Sequence, residues 1–340
     1  MAPPTDEALD VAWRALAEAG EDQPTEGWRT IPVERTAQCR ILAGRRFPGG
    51  DEAVLFGFRS AAVAATASLP QARGFRVEIV RDGIPRDALA WIALVREPAG
   101  SLTMFARMAS DIIALLREAS ADEVPLFRLF TGRIRAWQAF MESGRDDVLS
   151  PAAEVGLVGE LRFLQQILEA GVEASVAVDG WRGPIDGLHD FVLGTGAVEV
   201  KTSTTSGEFP ATIASLDQLD DSLVRPLFLA GVRLTLRASG RTLPEVVADV
   251  DDCMAADPVA RARFSDLVLR AGVLDGVRDR YVRRFATVRT MLFRVTDPFP
   301  RLTRRNVAQA VRRVRYDLDL DLVQAPETDL DGVLRELQVT

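Results

Sequence analysis

The segment His189–Lys201 reads HDFVLGTGAVEVK, and it decides the fold that this sequence predicts. Two apolar runs flank Gly194–Gly196, a pattern typical of a β-hairpin with a tight turn. Glu199 and Lys201 are two positions apart on the second strand, so their side chains point to the same face of the sheet. Asp190 lies at the far end of the first strand. The length of the turn decides which face Asp190 shares, and the sequence leaves this register open.

In the favourable registers, Asp190, Glu199 and Lys201 meet at one end of the sheet. Two carboxylates there form a site of hard oxygen ligands, which suits Mg²⁺ because this ion takes few protein ligands and keeps its waters. A lysine beside such an ion can orient a water molecule and help to deprotonate it. The alternative is an ordinary cross-strand Glu–Lys pair on a solvated face.

The composition draws attention to the same hairpin. Of the 41 basic residues, Lys201 is the only lysine, and His189 is the only histidine. Arginine is always charged, whereas a lysine ammonium suits chemistry that a guanidinium does not perform. An accident of composition is the plain alternative, and the carboxylates beside Lys201 favour the chemical interpretation.

A helix precedes the hairpin and carries a third acid. Ser150 as N-cap followed by proline predicts a helix that runs to about Ala170 and ends at Gly171. Glu160 lies on this helix between apolar residues, and an inward-leaning glutamate needs a cation or another partner. Glycines at positions 156 and 159 would let the helix approach the sheet closely.

The order of elements around the hairpin predicts an α/β (α+β) fold with an αβββαβ core and a mixed sheet. After the helix we expect strands at Ala174–Val178, Asp190–Leu193 and Ala197–Thr202, a short helix at Ile213–Asp221 and a strand at Pro226–Leu236. This alternation of helices and strands is typical of a sheet with helices packed on it.

The flanking regions predict two further domains. Residues 1–145 show a helix at Asp6–Ala19, then short strands and two amphipathic helices, at Trp28–Val33, Cys39–Ala43, Ala53–Phe58, Arg76–Val80, Ala88–Val95, Met104–Arg117 and Pro125–Met141. Residues 146–240 hold the αβββαβ core. Residues 241–340 are helical and mixed, with a helix at Val307–Val314 between strands at Thr287–Val295 and Tyr316–Leu322. The segment Gly144–Asp147 marks the first boundary. No motif in residues 1–145 is readable, and recognition of a DNA target or a protein partner is assigned to them by position only.

The arrangement resembles the PD-(D/E)XK nuclease superfamily, in particular the bacterial PD-(D/E)XK motif proteins encoded beside restriction and phage-defence genes. The resemblance rests on GLVGEL (156–161), Trp181, HDF (189–191), EVKT (199–202) and SLDQL (215–219). It is strongest over residues 150–235. The residue before Asp190 is His189 rather than the proline of the motif's name, a departure that the superfamily tolerates.

The resemblance implies a role for each matching residue. Asp190 and Glu199 would bind Mg²⁺, with Mn²⁺ as a substitute, and Glu160 would assist at that metal or at a second one. Lys201 would position the attacking water. Gln218 would be an accessory polar group, and His189 would contact a phosphate or have an orienting or structural role.

A nuclease must also bind DNA, and the net charge of −8 restricts this to a local patch. Residues 270–315 contain thirteen arginines and three aspartates. Arg304, Arg305, Arg312 and Arg313, at the two ends of the predicted helix, are the candidate phosphate contacts. Pairing of these arginines with the acidic residues of 316–340 is the alternative.

Thr202 and Ser203 would donate hydrogen bonds to phosphates, or form an ordinary polar loop. Trp181 would stack on DNA or anchor the core.

These features predict a metal-dependent DNA endonuclease, the effector of a restriction-type anti-phage system. The alternatives are a non-catalytic DNA-binding or scaffold subunit with the same fold, and an RNA-directed or structure-specific resolvase. The resemblance implies a DNA methyltransferase and an ATPase or helicase as partners, and a homodimer would explain double-strand cleavage. Two distant cysteines and the absence of a signal peptide or an apolar span predict a cytoplasmic protein without membrane contact.

Overall fold

The computed structural model describes residues 6–18, 26–36, 39–59, 70–72, 74–81, 89–119, 123–142, 148–185 and 187–339. The chain forms two compact units, Met1–Gly144 and Arg145–Thr340. The predicted boundary segment Gly144–Asp147 lies outside the described residues. Within the described ranges, no helix is both long enough and apolar enough to cross a membrane.

In its described residues, the first unit combines an antiparallel sheet with three helices. The six strands lie in the order β1-β2-β3-β6-β5-β4. The elements are α1 (Asp6–Glu18), β1 (Gly27–Arg35), β2 (Arg40–Phe47), β3 (Asp51–Arg59), β4 (Gln71–Ala72), β5 (Phe75–Val80), β6 (Leu89–Arg96), α2 (Leu102–Glu118) and α3 (Glu123–Glu142). The strands and helices predicted between residues 6 and 142 are therefore confirmed, to within a few residues at their ends.

Aromatic side chains join the sheet of the first unit to its helices. Phe56 and Phe58 on β3 pack against Phe130 on α3, with ring centroids 4.9 and 5.2 Å apart. Trp13 on α1 donates from its indole Nε1 to the carbonyl oxygen of Ala53 at 2.8 Å. The aromatic rings supply apolar area, and the indole bond fixes the helix on the sheet.

The second unit holds the predicted nuclease-like core. Its elements are α4 (Pro151–Glu169), α5 (Ala174–Gly180), β7 (Phe191–Leu193), β8 (Gly196–Ser203), β9 (Pro210–Ile213), β10 (Leu227–Arg241), α6 (Leu243–Cys253), α7 (Pro258–Ala271), β11 (Phe285–Arg294), β12 (Tyr316–Asp319) and α8 (Leu330–Leu337). Short 3₁₀ turns lie at Gly183–Ile185, Asp275–Arg280 and Leu320–Leu322. The predicted start of α4 is confirmed, because the Ser150 side chain accepts from the amide of Ala153 at 3.3 Å.

The central sheet of the second unit is mixed, with strand order β11-β10-β8-β7. Strand β8 pairs parallel with β10 and antiparallel with β7, and β10 pairs antiparallel with β11. The antiparallel pair β9–β12 lies against this sheet through a shared apolar core that contains Phe209, Leu229 and Phe293. The predicted α+β class with a mixed sheet is confirmed. Strand β11, from the region predicted as a third domain, extends the same sheet, and the division into three domains stays a prediction.

Three predicted elements of the second unit were wrong. Ala174–Val178 is part of helix α5, not a strand. Five alternating residues are too few to separate the two periods, and burial of Ala177 and Val178 suits a helix equally well. The helix predicted at Ile213–Asp221 is absent because Ile213 pairs with Tyr316 and Gln218 side-chain bonds organise the following loop.

The third error concerns the segment Val307–Val314, which forms turns rather than a helix. Positions 308–313 are exposed, so no apolar face of this segment is buried. A short helix without such packing is unstable in water. Arg304, Arg305, Arg312 and Arg313 therefore do not mark the two ends of one helix.

Candidate active site

The turn of the β7–β8 hairpin sets the register that the sequence left open. Leu193 pairs with Gly196 and Phe191 with Val198, so continuing the ladder by one residue places Asp190 opposite Glu199. Residues opposite each other on antiparallel strands share a face, so the favourable register is the one that forms. Gly194 has φ +51°, and a Cβ there would lie 1.9 Å from the Leu337 carbonyl oxygen, which requires glycine.

Glu199 is buried, with 2% of its surface exposed, and its two carboxylate oxygens differ. The first, Oε1, accepts hydrogen bonds from Lys201 Nζ at 2.6 Å and from Gln218 Nε2 at 2.9 Å. The second, Oε2, is buried and has no hydrogen-bond partner among the residues that the structure describes. Burial and the neighbouring Asp190 raise the pKa of Glu199 to about 8, against the opposing effect of Lys201. One oxygen is therefore fixed in orientation and the other is available to a cation.

Asp190 is held by the backbone on both sides. Its Oδ2 accepts from the amide of Val200 at 2.7 Å, and its carbonyl oxygen accepts from the amide of Arg182 at 2.7 Å. Burial raises the pKa of Asp190, although the Val200 amide and Lys201 favour its charged form. These bonds orient the carboxylate at the point where the strand ends.

Glu160 reaches this site because α4 lies very close to β8. A Cβ on Gly159 would lie 1.8 Å from Thr202 Oγ1, so glycine at this position permits the approach that the sequence predicted, whereas Gly156 has open space around it. Glu160 Oε2 accepts from Trp181 Nε1 at 2.8 Å. Burial, followed by the charge of Asp190, raises the pKa of Glu160 to about 8.

Gln218, in the loop after β9, and His189, just before β7, support the site. The Gln218 side chain donates to Glu199, and its Oε1 accepts from the amide of Ala214 at 2.7 Å. His189 Nε2 bonds the Gln218 carbonyl oxygen at 3.1 Å, and burial lowers the pKa of this imidazole. His189 thus bonds the loop that carries Gln218, which corresponds to its predicted structural role. Gln218 orients one oxygen of Glu199, which corresponds to its predicted place as an accessory polar group near the site.

The donor set fits a divalent cation, because a buried and unpartnered carboxylate oxygen of Glu199 lies opposite Asp190. Burial first, and then the charge of Asp190, raises the pKa of both Glu160 and Glu199. Among the described residues, no three His, Cys, Asp or Glu side chains gather into a cluster that would bind a metal by itself. Mg²⁺ needs only one or two carboxylates and keeps water on its other positions.

The structure places the other predicted contacts in different surroundings. Thr202 faces Gly159 of α4 and is half-buried. Ser203 is buried, and its hydroxyl bonds Thr205 Oγ1 at 2.8 Å, so this hydroxyl is not presented at the surface. Trp181 is buried against Phe264, with ring centroids 5.9 Å apart, which corresponds to the core-anchoring alternative.

Many arginines of 270–315 are paired with acidic side chains. Arg289 bonds Glu327 and Arg294 bonds Glu336 at 3.0 Å, which matches the predicted alternative of pairing with the acidic C-terminal region. Arg304 and Arg305 instead bond acids of the loop after β9. The arginine count in the sequence therefore overstates the free positive charge of this segment.

Two cavities of the second unit lie beside the candidate site, and the sequence analysis identified neither. One, of about 460 Å³, is lined by Glu160, Gly156, Gly183 and neighbouring apolar residues. The other, of about 300 Å³, is lined by the loop after β9 and by Arg304, Arg312 and Arg313. Asp217 lines the second cavity next to Gln218. Its place in the SLDQL motif was the one sequence feature that could have pointed to this cavity.

The comparison with protein families agrees with this geometry. The chain matches, over residues 9–321, the model of a family described as "Putative PD-(D/E)XK family member, (DUF4420)". This match covers most of the chain, and the chain belongs to this family. No curated protein and no solved structure matches the chain significantly. Membership supports a nuclease-type function and the general use of divalent metals in the superfamily.

Proposed function

We propose that this protein is a metal-dependent DNA endonuclease. The observation that carries the proposal is the state of Glu199. Its Oε1 is fixed by Lys201 and Gln218, while its buried Oε2 has no partner in the described part of the chain. A buried carboxylate without enough partners destabilises a fold, and such groups concentrate at functional sites. Family membership supports the same chemistry.

We assign the roles from the resemblance, and the positions of the side chains support them. Asp190 and Glu199 would hold Mg²⁺, with Mn²⁺ as a substitute, and Glu160 would assist at the same metal or a second one. A bound divalent ion lowers the pKa of water and offsets the negative charge that develops on phosphate. Lys201, whose ammonium lies 2.6 Å from Glu199, would orient the attacking water. Water would then add across one P–O bond of the phosphodiester.

The biological setting is a finer proposal. A restriction-type anti-phage system would use this activity against foreign DNA, with a DNA methyltransferase and an ATPase or helicase as partners. A homodimer would place two sites on one duplex, because one site cuts one strand. Cleavage would occur in the cytoplasm, where the two free cysteines, Cys39 and Cys253, stay reduced.

A plasmid-cleavage assay tests the proposal. We would compare the wild type with Asp190→Ala and Lys201→Ala in Mg²⁺, Mn²⁺ or EDTA, on methylated and unmethylated plasmid. Glu169→Ala, which removes an exposed carboxylate at the C-terminal end of α4, is the matched control. We expect metal-dependent cleavage by the wild type and the control only.

Other outcomes contradict the proposal in different ways. Cleavage that persists in Asp190→Ala and Lys201→Ala would refute the site. DNA binding without cleavage by any form, also with the proposed partner proteins present, would favour the non-catalytic subunit of the same fold.

A further inference from the structure

The cavity formed by the loop after β9 and the arginines before β12 has the chemistry of an anion site. It is lined by Ala214, Ser215, Leu216, Asp217, Arg304, Arg312, Arg313 and Val314, and its volume is about 300 Å³. Three guanidinium groups face one carboxylate, so the lining carries an excess of two positive charges. Guanidinium groups bind phosphate through paired N–H donors.

Two of these arginines are available to a ligand. Arg312 and Arg313 are exposed, and within the described residues neither side chain has a hydrogen bond or an ion pair. Arg304 is half-exposed and makes a two-pronged bond to Asp217, at 2.7 and 2.9 Å. An exposed pair of this kind contributes little to stability, so a phosphate can replace Asp217 at modest cost.

The walls of the cavity are built by pairing between distant parts of the chain. Tyr316 on β12 pairs with Ile213 on β9, which brings the end of one strand beside the start of the other. Arg301 anchors the turn that carries Arg304, because it donates to the Leu219 carbonyl oxygen at 2.8 Å and pairs with Asp221 at 2.8 Å. The cavity is thus a preformed feature of the second unit.

The same loop reaches the catalytic carboxylate. Gln218 follows Asp217 directly, closes the loop through the amide of Ala214, and donates to Glu199 Oε1 at 2.9 Å. A ligand that binds beside Asp217 is therefore separated from Glu199 by one residue and one hydrogen bond.

We propose that Arg304, Arg312 and Arg313 form a pocket for a backbone phosphate of the DNA strand beside the phosphodiester that is cleaved. The inference rests on the proposed nuclease function, since it takes DNA as the substrate. The Asp217 carboxylate pairs with Arg304 when DNA is absent, and the bound phosphate replaces this carboxylate. Gln218 already bonds Glu199 while Asp217 pairs with Arg304, so the loop holds this carboxylate before DNA binds.

The test measures binding separately from cleavage. The probe is a short fluorescent duplex, and fluorescence anisotropy is recorded with the Asp190→Asn variant in Ca²⁺. We expect Arg312→Gln/Arg313→Gln to weaken binding about 10-fold and to reduce the slope of log K against log salt by about 1 to 2. Arg335→Gln, which removes an exposed arginine on α8, is the matched control and leaves both quantities unchanged.

A second arm locates the phosphate. Neutral methylphosphonate groups replace the phosphates of one strand, one position at a time. We expect one or two positions to weaken binding of the parent protein about 10-fold and to have no further effect in Arg312→Gln/Arg313→Gln, because residues and groups in contact are not additive. Asp217→Asn, which frees Arg304, tightens binding several-fold.

The possible results distinguish a failure of the phosphate-pocket proposal from a failure of the proposed nuclease function. Unchanged binding in the arginine variants, or additive effects at every methylphosphonate position, would overturn the pocket even if the wild type cleaves DNA. Methylphosphonate effects that vanish in the arginine variants would establish the pocket even if no cleavage is found. Inorganic phosphate or a mononucleotide can also be added as a competitor of the duplex. If it displaces duplexes with and without the methylphosphonate equally well, the cavity binds free anions, and the assignment to a DNA strand is overturned.

Discussion

Glu52 and Glu199 are both buried glutamates on interior strands, one in each unit of the molecule, yet their surroundings differ. Glu52 on β3 has one arginine for each oxygen, Arg45 at 2.9 Å and Arg96 at 2.8 Å. Glu199 on β8 shares a single cation, Lys201, and keeps one buried oxygen without a partner. The charge of Asp190 also acts on Glu199 and not on Glu52.

This difference separates a structural acid, Glu52, from Glu199, the acid that we propose to be functional. A buried carboxylate that is fully paired links two strands and costs little beyond its desolvation. A buried carboxylate that faces another carboxylate raises the energy of the folded chain and is relieved only by a proton or a cation. Burial and incomplete pairing do not identify a site by themselves, because Glu154 is also buried with one oxygen that has no partner among the described residues, and its other oxygen pairs with Arg283. Glu199 differs because the charge of a second carboxylate, Asp190, acts on it as well.

The largest effect that would sharpen this comparison is the loss of cleavage in Glu199→Gln. The amide keeps the contacts to Lys201 and Gln218 but cannot serve as an anionic ligand, so we expect the cleavage rate to fall by about 10³-fold. Because the pKa of Glu199 is about 8, its carboxyl is mostly neutral at pH 7 without metal, so the neutral amide leaves Tm there within about 2 °C of the wild type. Plasmid-cleavage rates and calorimetry measure both quantities. If Glu199→Gln lowers Tm strongly but still cleaves DNA, Glu199 is a structural acid like Glu52.

Glu52→Gln has the opposite expected pattern. It leaves Arg45 and Arg96 without their anion, and the partial exposure of these arginines limits the cost to about 2 kcal/mol. Tm of the first unit falls by about 6 °C, and the cleavage rate per folded molecule is unchanged. The double variant Glu52→Gln/Glu199→Gln combines the two effects additively, since the residues share no partner. A loss of cleavage in Glu52→Gln at 20 °C, with the protein folded, would break the comparison.

The smallest expected effect is a pH-dependent gain of stability in Glu160→Gln. The pKa of Glu160 is about 8 in the fold and 4.5 as the ordinary value, so the folded state binds the proton more tightly. Its contribution to stability is fully present below pH 4.5 and is lost as the pH rises through 8. In EDTA, the variant and the wild type should have equal Tm near pH 4.5. The variant should be more stable at pH 8.5 by at least about 1 kcal/mol, the value of one pKa unit.

Thermal unfolding in EDTA between pH 4.5 and 8.5 measures this difference. Glu169→Gln, an exposed change on the same helix, should track the wild type at every pH. A constant offset between Glu160→Gln and the wild type would contradict the raised pKa.

The charged residues show how far the sequence could be interpreted. Glu199 and Lys201 were predictable because a two-residue spacing on a strand fixes their common face without any tertiary information. Asp190 was predictable as a candidate only, since the turn had to set its register. The arginines were the weakest prediction. Their count reveals nothing of partners such as Asp217 for Arg304 or Glu327 for Arg289, which lie tens of residues away along the chain.

The secondary structure divides in the same way. Long periodic segments such as α4 were predicted with their caps, because the signals for them are local. The short segments Ala174–Val178, Ile213–Asp221 and Val307–Val314 were predicted wrongly, because their conformation depends on side-chain bonds and packing with distant residues.

The sequence by itself determined the hairpin, the helix that carries Glu160, the identity of the charged groups and the family to which the chain belongs. Only the tertiary structure decided that Gly159 brings α4 against β8, that Gln218 reaches Glu199, and that one oxygen of Glu199 stays without a partner. The physical reason is that spacing along a strand or helix is a local property. Burial and pairing depend instead on which distant residues the fold brings within hydrogen-bond distance.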